Sequence, residues 1–307
     1  MVELPDQLRQ ALEAELDGYS TRQLWQAAER LSQRYRADES AREPIVSSPL
    51  DSAGYLTTRM PATYAAARQV FEGLATIRPD FRPRTLLDLG AGTGACTWAA
   101  ADVFRSLESS HLVDNSTHAL AAAERMLSSS PVQITRTAGR VDQPAGASAG
   151  QGFDLVVCGF LLGELEPATR DSVMSQMSSA ASVVAVIDAG TPAGYRRILA
   201  ARSALIAARH SVLAPCPHEE VCPLESTQDW CHFSVRLTRS IRHRQAKRAE
   251  RGYEDEKYSY VVTSPQPPQR RLARILRHPQ IRTGHVRMTL CDIEPGVREV
   301  TVSKRHG

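Results

Sequence analysis

Fourteen residues, TLLDLGAGTGACTW from Thr85 to Trp98, constrain the fold more than any other stretch. An apolar run typical of a buried strand carries Asp88 near its end, glycines follow at Gly90, Gly92 and Gly94, and a helical pattern begins. Such glycines let the backbone turn sharply and approach a ligand closely, and the helix N-terminus behind them favours negative charge. Spacing separates the cofactor classes. A dinucleotide fingerprint reads GxGxxG, whereas here the third glycine arrives one residue early, as GxGxG.

The same strand-to-helix alternation continues downstream. Strands are expected at Thr85–Leu89, His111–Asp114, Val132–Arg136, Phe153–Cys158 and Ser182–Asp188, with helical stretches around 95–107, 117–128 and 167–180. A βαβα pattern implies a parallel sheet covered by helices on both faces, a doubly wound α/β fold. Upstream, residues 5–36 read as helix with a break at Asp17-Gly18 and a capping box at Ser20 and Gln23. A polar linker is expected from Ala37 to Leu50. A helix opened by Pro61 should end before Pro79. Gly139 to Gly152 reads as a loop, PQPPQ from Pro265 as a turn or linker, and HVRMTLCDIEPGVREVTVSK as a small antiparallel hairpin.

Asp88-Leu-Gly-Ala-Gly-Thr-Gly resembles the first motif of class I S-adenosylmethionine-dependent methyltransferases. That resemblance implies that Asp88, Gly90, Gly92 and Gly94 hold the methionine end of the cofactor. Asp114, closing the second strand, would bond the ribose, although an Asp after a strand is also a common helix cap. In FDLVVCGFLLGELEP, Cys158 to Phe160 would lie at the cofactor's rim. Glu164 is the one weak candidate for a general base, and an acid in a first helical turn is stabilised there without any function. Cys96 and Cys158 read as small buried residues.

Charge divides the chain. Residues 1–195 hold 16 Lys+Arg against 23 Asp+Glu, and residues 196–307 hold 21 against 11, so the halves carry −7 and +10. A basic half suits phosphate backbones, and SIRHRQAKRAERG with KYSY interleaves cations and tyrosines that would meet phosphates and stack on bases. No apolar run approaches the ~20 residues needed to cross a bilayer. The first 17 residues carry five acids and fit neither a secretory signal nor an Arg-rich transit peptide, so a cytoplasmic, bacterial-type location is expected.

Cys216, Cys222 and Cys231 follow C-x5-C-x8-C, with Cys291 far downstream in the hairpin. In a reducing compartment, clustered cysteines are metal ligands or catalytic groups before they are disulfides. Four thiolates suit a 4Fe–4S cluster or Zn2+; zinc favours short C-x2-4-C knuckles, so the wide spacing leans towards the cluster. His218 and His232 keep a mixed zinc site open.

Together these stretches resemble one family, the methyltransferase-like assembly factors of the small ribosomal subunit, known from mitochondria and with bacterial relatives. The matching stretches are AGYLTTRMPATYAA from Ala53 to Ala66, the glycine loop, CGFLLGEL, IDAGTPAGY, CPHEEVCPL with DWCHF, DEKYSYVV and LCDIEPGVREVTVSK. The resemblance implies a Rossmann-like methyltransferase fold, a 4Fe–4S cluster on Cys216, Cys222, Cys231 and Cys291, and binding to small-subunit rRNA and proteins. The expected organisation is an N-terminal helical segment over 1–50, a cofactor-binding domain over 51–210 and a basic cysteine-containing extension over 211–307. A binding role in subunit maturation, an active RNA methyltransferase and a zinc-containing small-molecule methyltransferase remain the three readings.

Overall fold

A computed structural model describes residues 1–37, 44–142, 152–268, 273–303 and 305. The linker expected over 37–50, the loop over 139–152 and the segment PQPPQ fall partly outside the described residues. Four helices open the chain: α1 (Asp6–Leu16), α2 (Thr21–Ala37), α3 (Pro49–Thr58) and α4 (Met60–Ile77). The capping box forms as expected, with Ser20 N donating to Gln23 Oε1 at 2.9 Å and Gln23 N to Ser20 Oγ at 3.3 Å.

The α/β body follows as β1 (Thr85–Leu89), α5 (Ala95–Val103), β2 (Ser109–Asp114), α6 (Thr117–Leu127), β3 (Gln133–Ala138) and β4 (Phe153–Gly159). A short 3₁₀ turn (Leu162–Glu164), α7 (Pro167–Ala180), β5 (Ala181–Ala189), α8 (Pro192–Ala207) and β6 (Ser211–Ala214) complete the alternation. β7 (Phe233–Thr238), α9 (Ile241–Ala246) and the long β8 (Tyr253–Ser264) come next. The strands run in the order β3-β2-β1-β4-β5-β8-β6, with β7 also paired to β8. β1 to β5 are mutually parallel, whereas β8 runs antiparallel to β5, β6 and β7. The sheet therefore continues across residue 211, and the basic half supplies its last three strands.

Period-two alternation divides the strand residues between two cores. Leu86, Leu155 and Ala185 face a layer that includes α4, α5 and α6, while Leu87, Val156 and Val184 face α7 and α8. The N-terminal helices join the first core through Leu8, Leu12, Leu16 and Leu24. Val2 reaches β7, its N–H donating to Arg236 O at 2.7 Å. A second sheet of β9 (Arg274–Ile275), β10 (Gln280–Ile281), β11 (His285–Cys291) and β12 (Val297–Ser303) ends the chain.

Candidate functional site

All three loop glycines adopt the left-handed conformation, with φ of 70° at Gly90, 52° at Gly92 and 81° at Gly94. A side chain at either end would also collide: a Cβ at Gly90 would meet Leu161 Cδ2 at 2.8 Å, and one at Gly94 would meet Leu127 Cδ1 at 2.8 Å. Gly92 differs. Its nearest neighbour would be Tyr55 Oη at 3.9 Å, so the loop opens to a ligand at its middle glycine.

The cleft over this loop is about 160 Å³ and includes Gly90, Gly92, Asp114, Gly159, Phe160 and Glu164 in its wall. It lies at the carboxyl ends of β1, β2 and β4, where open α/β sheets bind ligands. Asp114 Oδ2 accepts from Gly92 N and Oδ1 accepts from Ser116 N, both at 2.8 Å, so it ties the loop to the α6 N-terminus while lining the cleft. Burial pushes its carboxyl upward against those two hydrogen bonds. Phe160 has a φ of 58°, a costly conformation for an aromatic residue, and its N–H donates to Ile187 O at 2.7 Å.

Asp88 lies behind the cleft, not in its wall. It is 1% exposed and accepts from Thr97 Oγ1 at 2.8 Å and Thr97 N at 3.2 Å, which fixes the first turn of α5. Burial pushes this carboxyl up to about 7 against the Thr97 hydrogen bonds. Cys158 is likewise buried beneath the rim, next to Cys96, and burial drives both thiols well above their ordinary range. Glu164 stands on the cleft wall in the 3₁₀ turn.

Sequence reasoning left out the N-terminal contribution. Ile45, Val46 and Tyr55 close one side of the cleft, and Ser116 Oγ holds Val46 O at 2.6 Å. Burial raises the Tyr55 hydroxyl to about 12, so it stays a neutral donor beside Gly92. Thr93 Oγ1 is buried with no hydrogen-bond partner among the described residues. An open middle glycine and a partly buried carboxylate in the cleft wall fit a polar, close-lying cofactor such as S-adenosylmethionine.

The second site is an insertion. Between the end of β6 at Ala214 and the start of β7 at Phe233, the chain leaves the sheet carrying Cys216, Cys222 and Cys231. These three thiols and Cys291, the last residue of β11, line one cavity of about 30 Å³ with Tyr260 and Leu276. Tyr195 Oη lies 3.2 Å from Cys222 Sγ, and Ser259 Oγ donates to Cys231 O at 2.9 Å. Two guanidiniums flank the thiols. The buried Arg202 donates to His218 O at 2.8 Å and Glu220 O at 2.9 Å, pinning the loop between Cys216 and Cys222. Arg274 hydrogen-bonds Cys231 and lies 3.5 Å over the Phe233 ring.

Burial pushes the thiol of Cys216 up to about 12 and that of Cys291 up to about 11, with Arg202 pulling the other way on both. His218 Nε2 is 3.6 Å from Cys291 Sγ, and His232 leans on Trp230 with ring centroids 5.3 Å apart. Neither imidazole is in the cavity wall. Among the described residues no group of three or more His, Cys, Asp or Glu is placed to hold one metal ion.

The basic segment expected to meet RNA is partly consumed inside the fold. Arg242 pairs with Glu13 at 3.3 Å and donates to Leu16 O at 3.0 Å, and Arg248 lies 4.1 Å over Trp25. Arg239, His243 and Lys247 converge on Glu254. Tyr258 is buried and stacks on Phe233 at 5.4 Å, so it offers no face to a base.

The strand order, with one antiparallel strand inserted beside β5, the left-handed glycine loop and the cleft above it define a class I methyltransferase fold. Within that class the chain belongs to the Rsm22 family, "Mitochondrial small ribosomal subunit Rsm22", whose model matches residues 49–307. It is 30% identical over 272 residues to the human "Ribosome assembly protein METTL17, mitochondrial", covering 82% of this chain and 58% of that protein. It is 22% identical over 311 residues to the "Rsm22-cox11 tandem protein 2, mitochondrial" of Schizosaccharomyces pombe, covering 82% of this chain and 40% of that one. The chain thus spans about half the length of these curated relatives. A putative RNA methyltransferase from Pyrococcus horikoshii aligns with TM-score 0.42 and 13% identity, covering 77% of this chain and 95% of the other.

The relatives overturn the expected cytoplasmic, bacterial-type location, because the human and yeast proteins are both mitochondrial. Three of the five acids behind that expectation, Asp6, Glu13 and Glu15, belong to α1, a packed helix whose Glu15 accepts from Arg125 Nε at 2.7 Å. No helix among the described residues is long and apolar enough to cross a membrane.

Proposed function

We propose that this protein is an assembly factor of the small ribosomal subunit that binds S-adenosylmethionine in the cleft and a 4Fe–4S cluster in the cysteine cavity. Residues 51–210 carry the cleft and residues 211–307 the cysteine extension, with residues 1–50 closing the cleft's outer side. The observation that carries the reading is the convergence of Cys216, Cys222, Cys231 and Cys291 on one cavity within the span matched by the family. A single zinc ion needs ligands about 2.3 Å from one centre. Four cysteines spaced more widely than zinc knuckles suit a larger group, and Arg202 and Arg274 offset the negative charge of a thiolate-bound cluster.

In the cleft, Asp114 is placed to accept from ribose hydroxyls, Gly92 admits close approach, and Tyr55 donates from the facing helix. S-adenosylmethionine supplies an electrophilic methyl group wherever transfer occurs. Glu164, one of the carboxylates on the cleft wall, favours the second reading, an active RNA methyltransferase. The binding role stands first because Asp88, Cys96 and Cys158 are all buried away from the cleft and serve the scaffold.

Co-sedimentation with immature small subunits tests the assembly role. Wild-type chain is expected in the particle fraction, Cys222→Ser chain is expected to be depleted from it, and equal sedimentation of both contradicts a docking role for the cluster. Methyl incorporation into those particles, with Asp114→Ala as control, separates the two readings: transfer lost in that variant establishes the enzyme.

A further inference from the structure

The C-terminal sheet presents an apolar face to solvent. Its register pairs Ile281 with Val286, Val286 with Val302, Met288 with Val300 and Leu290 with Ile275. Paired residues share a face, so these side chains form an apolar surface across four strands, bordered at its inner end by Arg298 opposite Leu290. The opposite face carries Arg274, Arg287, Thr289 and Cys291, and its inner end, at Arg274 and Cys291, forms part of the cysteine cavity. The apolar face is therefore turned away from the body. Ile281 is 72% exposed, Ile275 43% and Val302 38%, whereas Val286, Met288 and Val300 are half-buried and Leu290 is buried. A soluble chain seldom leaves so many aligned aliphatic side chains uncovered unless they meet a partner.

Charge at the outer end specifies the partner. Arg282 N donates to His285 O at 2.9 Å, His285 pairs with Ser303, and Arg305 N donates to Ser303 Oγ at 3.3 Å. Both arginines thus flank the Val286–Val302 pair. Among the described residues no ion pair involves Arg282 or Arg305, whereas the sheet's Asp292 and Glu299 are paired with Arg298 and Arg287. The outer tip is aliphatic and basic.

We propose that this face docks an apolar patch rimmed by Asp and Glu on another protein. Nucleic acid would satisfy the arginines, but Ile and Val offer no ring for unpaired bases to stack on. A second copy would bring two basic tips together, at a cost in like-charge repulsion. A lipid surface is usually met with Trp or Tyr at the interface, and this face has neither. The inference rests on the sheet's own geometry and stands apart from the cofactor and cluster assignments.

Site-specific photo-crosslinking from Ile281 and Val302 in the full-length chain, in its own cells, tests it, with the exposed Thr301 on the opposite face as the comparison position. The expected adducts survive nuclease, map to one protein surface where acids flank aliphatic residues, and fall severalfold with Arg282→Glu. An unchanged melting temperature for that variant keeps the loss attributable to charge. Nuclease-sensitive adducts, adducts to lipid, adducts within this chain or between two copies, yields no higher than at Thr301, or indifference to Arg282→Glu would each overturn the proposal.

Discussion

The cofactor cleft and the cysteine cavity sit on one sheet and are built by opposite means. The cleft's floor is made by backbone: three left-handed glycines, two hydrogen bonds to Asp114 and a helix N-terminus shape it within 30 residues of chain, and Ile45, Val46, Tyr55 and Phe160 wall it. The cavity is made by side chains gathered from the β6–β7 connection, α8, β8, β9 and β11, and burial raises the thiols of Cys216, Cys231 and Cys291 above their ordinary range. A backbone-built site is complete before its ligand arrives. A thiol-built site gains its stability only when the occupant displaces the protons, so occupancy and folding are coupled there.

The largest effect should come from the cavity. Cys216→Ser or Cys291→Ser should cost on the order of 4 kcal/mol in the loaded protein, the linkage expected when ligand exceeds its Kd a thousandfold, while cofactor affinity stays unchanged. Urea titration beside equilibrium dialysis checks both halves, and a parallel fall in cofactor affinity would break the contrast.

Asp88 provides the next test. Its folded-state pKa of about 7 lies above the ordinary carboxylate value, so the folded chain holds the proton more tightly. Its contribution is full at low pH and is lost as pH rises from about 4 to about 7, at roughly 1 kcal/mol per unit. Asp88→Asn should flatten that part of the stability profile in chemical denaturation. Gly90→Ala should cost about 1–3 kcal/mol through backbone strain and the collision with Leu161, read as a lowered urea midpoint, with cluster loading intact. Glu164→Gln should be smallest, within about 0.5 kcal/mol in stability, and separates binding from chemistry if it silences transfer while cofactor affinity holds.

The same contrast governs what was legible from residues alone. β1 was read to the residue, and the alternating strands to within about two residues, because short-range periodicity decides them. The expected linker ended at Leu50 and no helix was expected over most of α3, although Ser48-Pro49-Leu50-Asp51 holds a capping signal, with Ser48 Oγ accepting from Asp51 N at 3.1 Å. Asp88 was placed on the ligand because motif position says nothing of which way a carboxylate turns. Arg202 and Arg274 carry no spacing signal, since each is a lone cation in an ordinary element. The engagement of Arg242 and Arg248 by Glu13 and Trp25 spans more than 200 residues and leaves no local pattern.

Anaerobic reconstitution of the full chain with iron and sulfide, followed by metal and acid-labile sulfide analysis of wild type and the four single Cys→Ser variants, tests the central claim most directly. The account predicts iron and sulfide in equal amounts with absorbance near 400 nm in the wild type, and loss of both in every variant. Zinc without iron or sulfide, or variants at Cys291 that load like wild type, would contradict it.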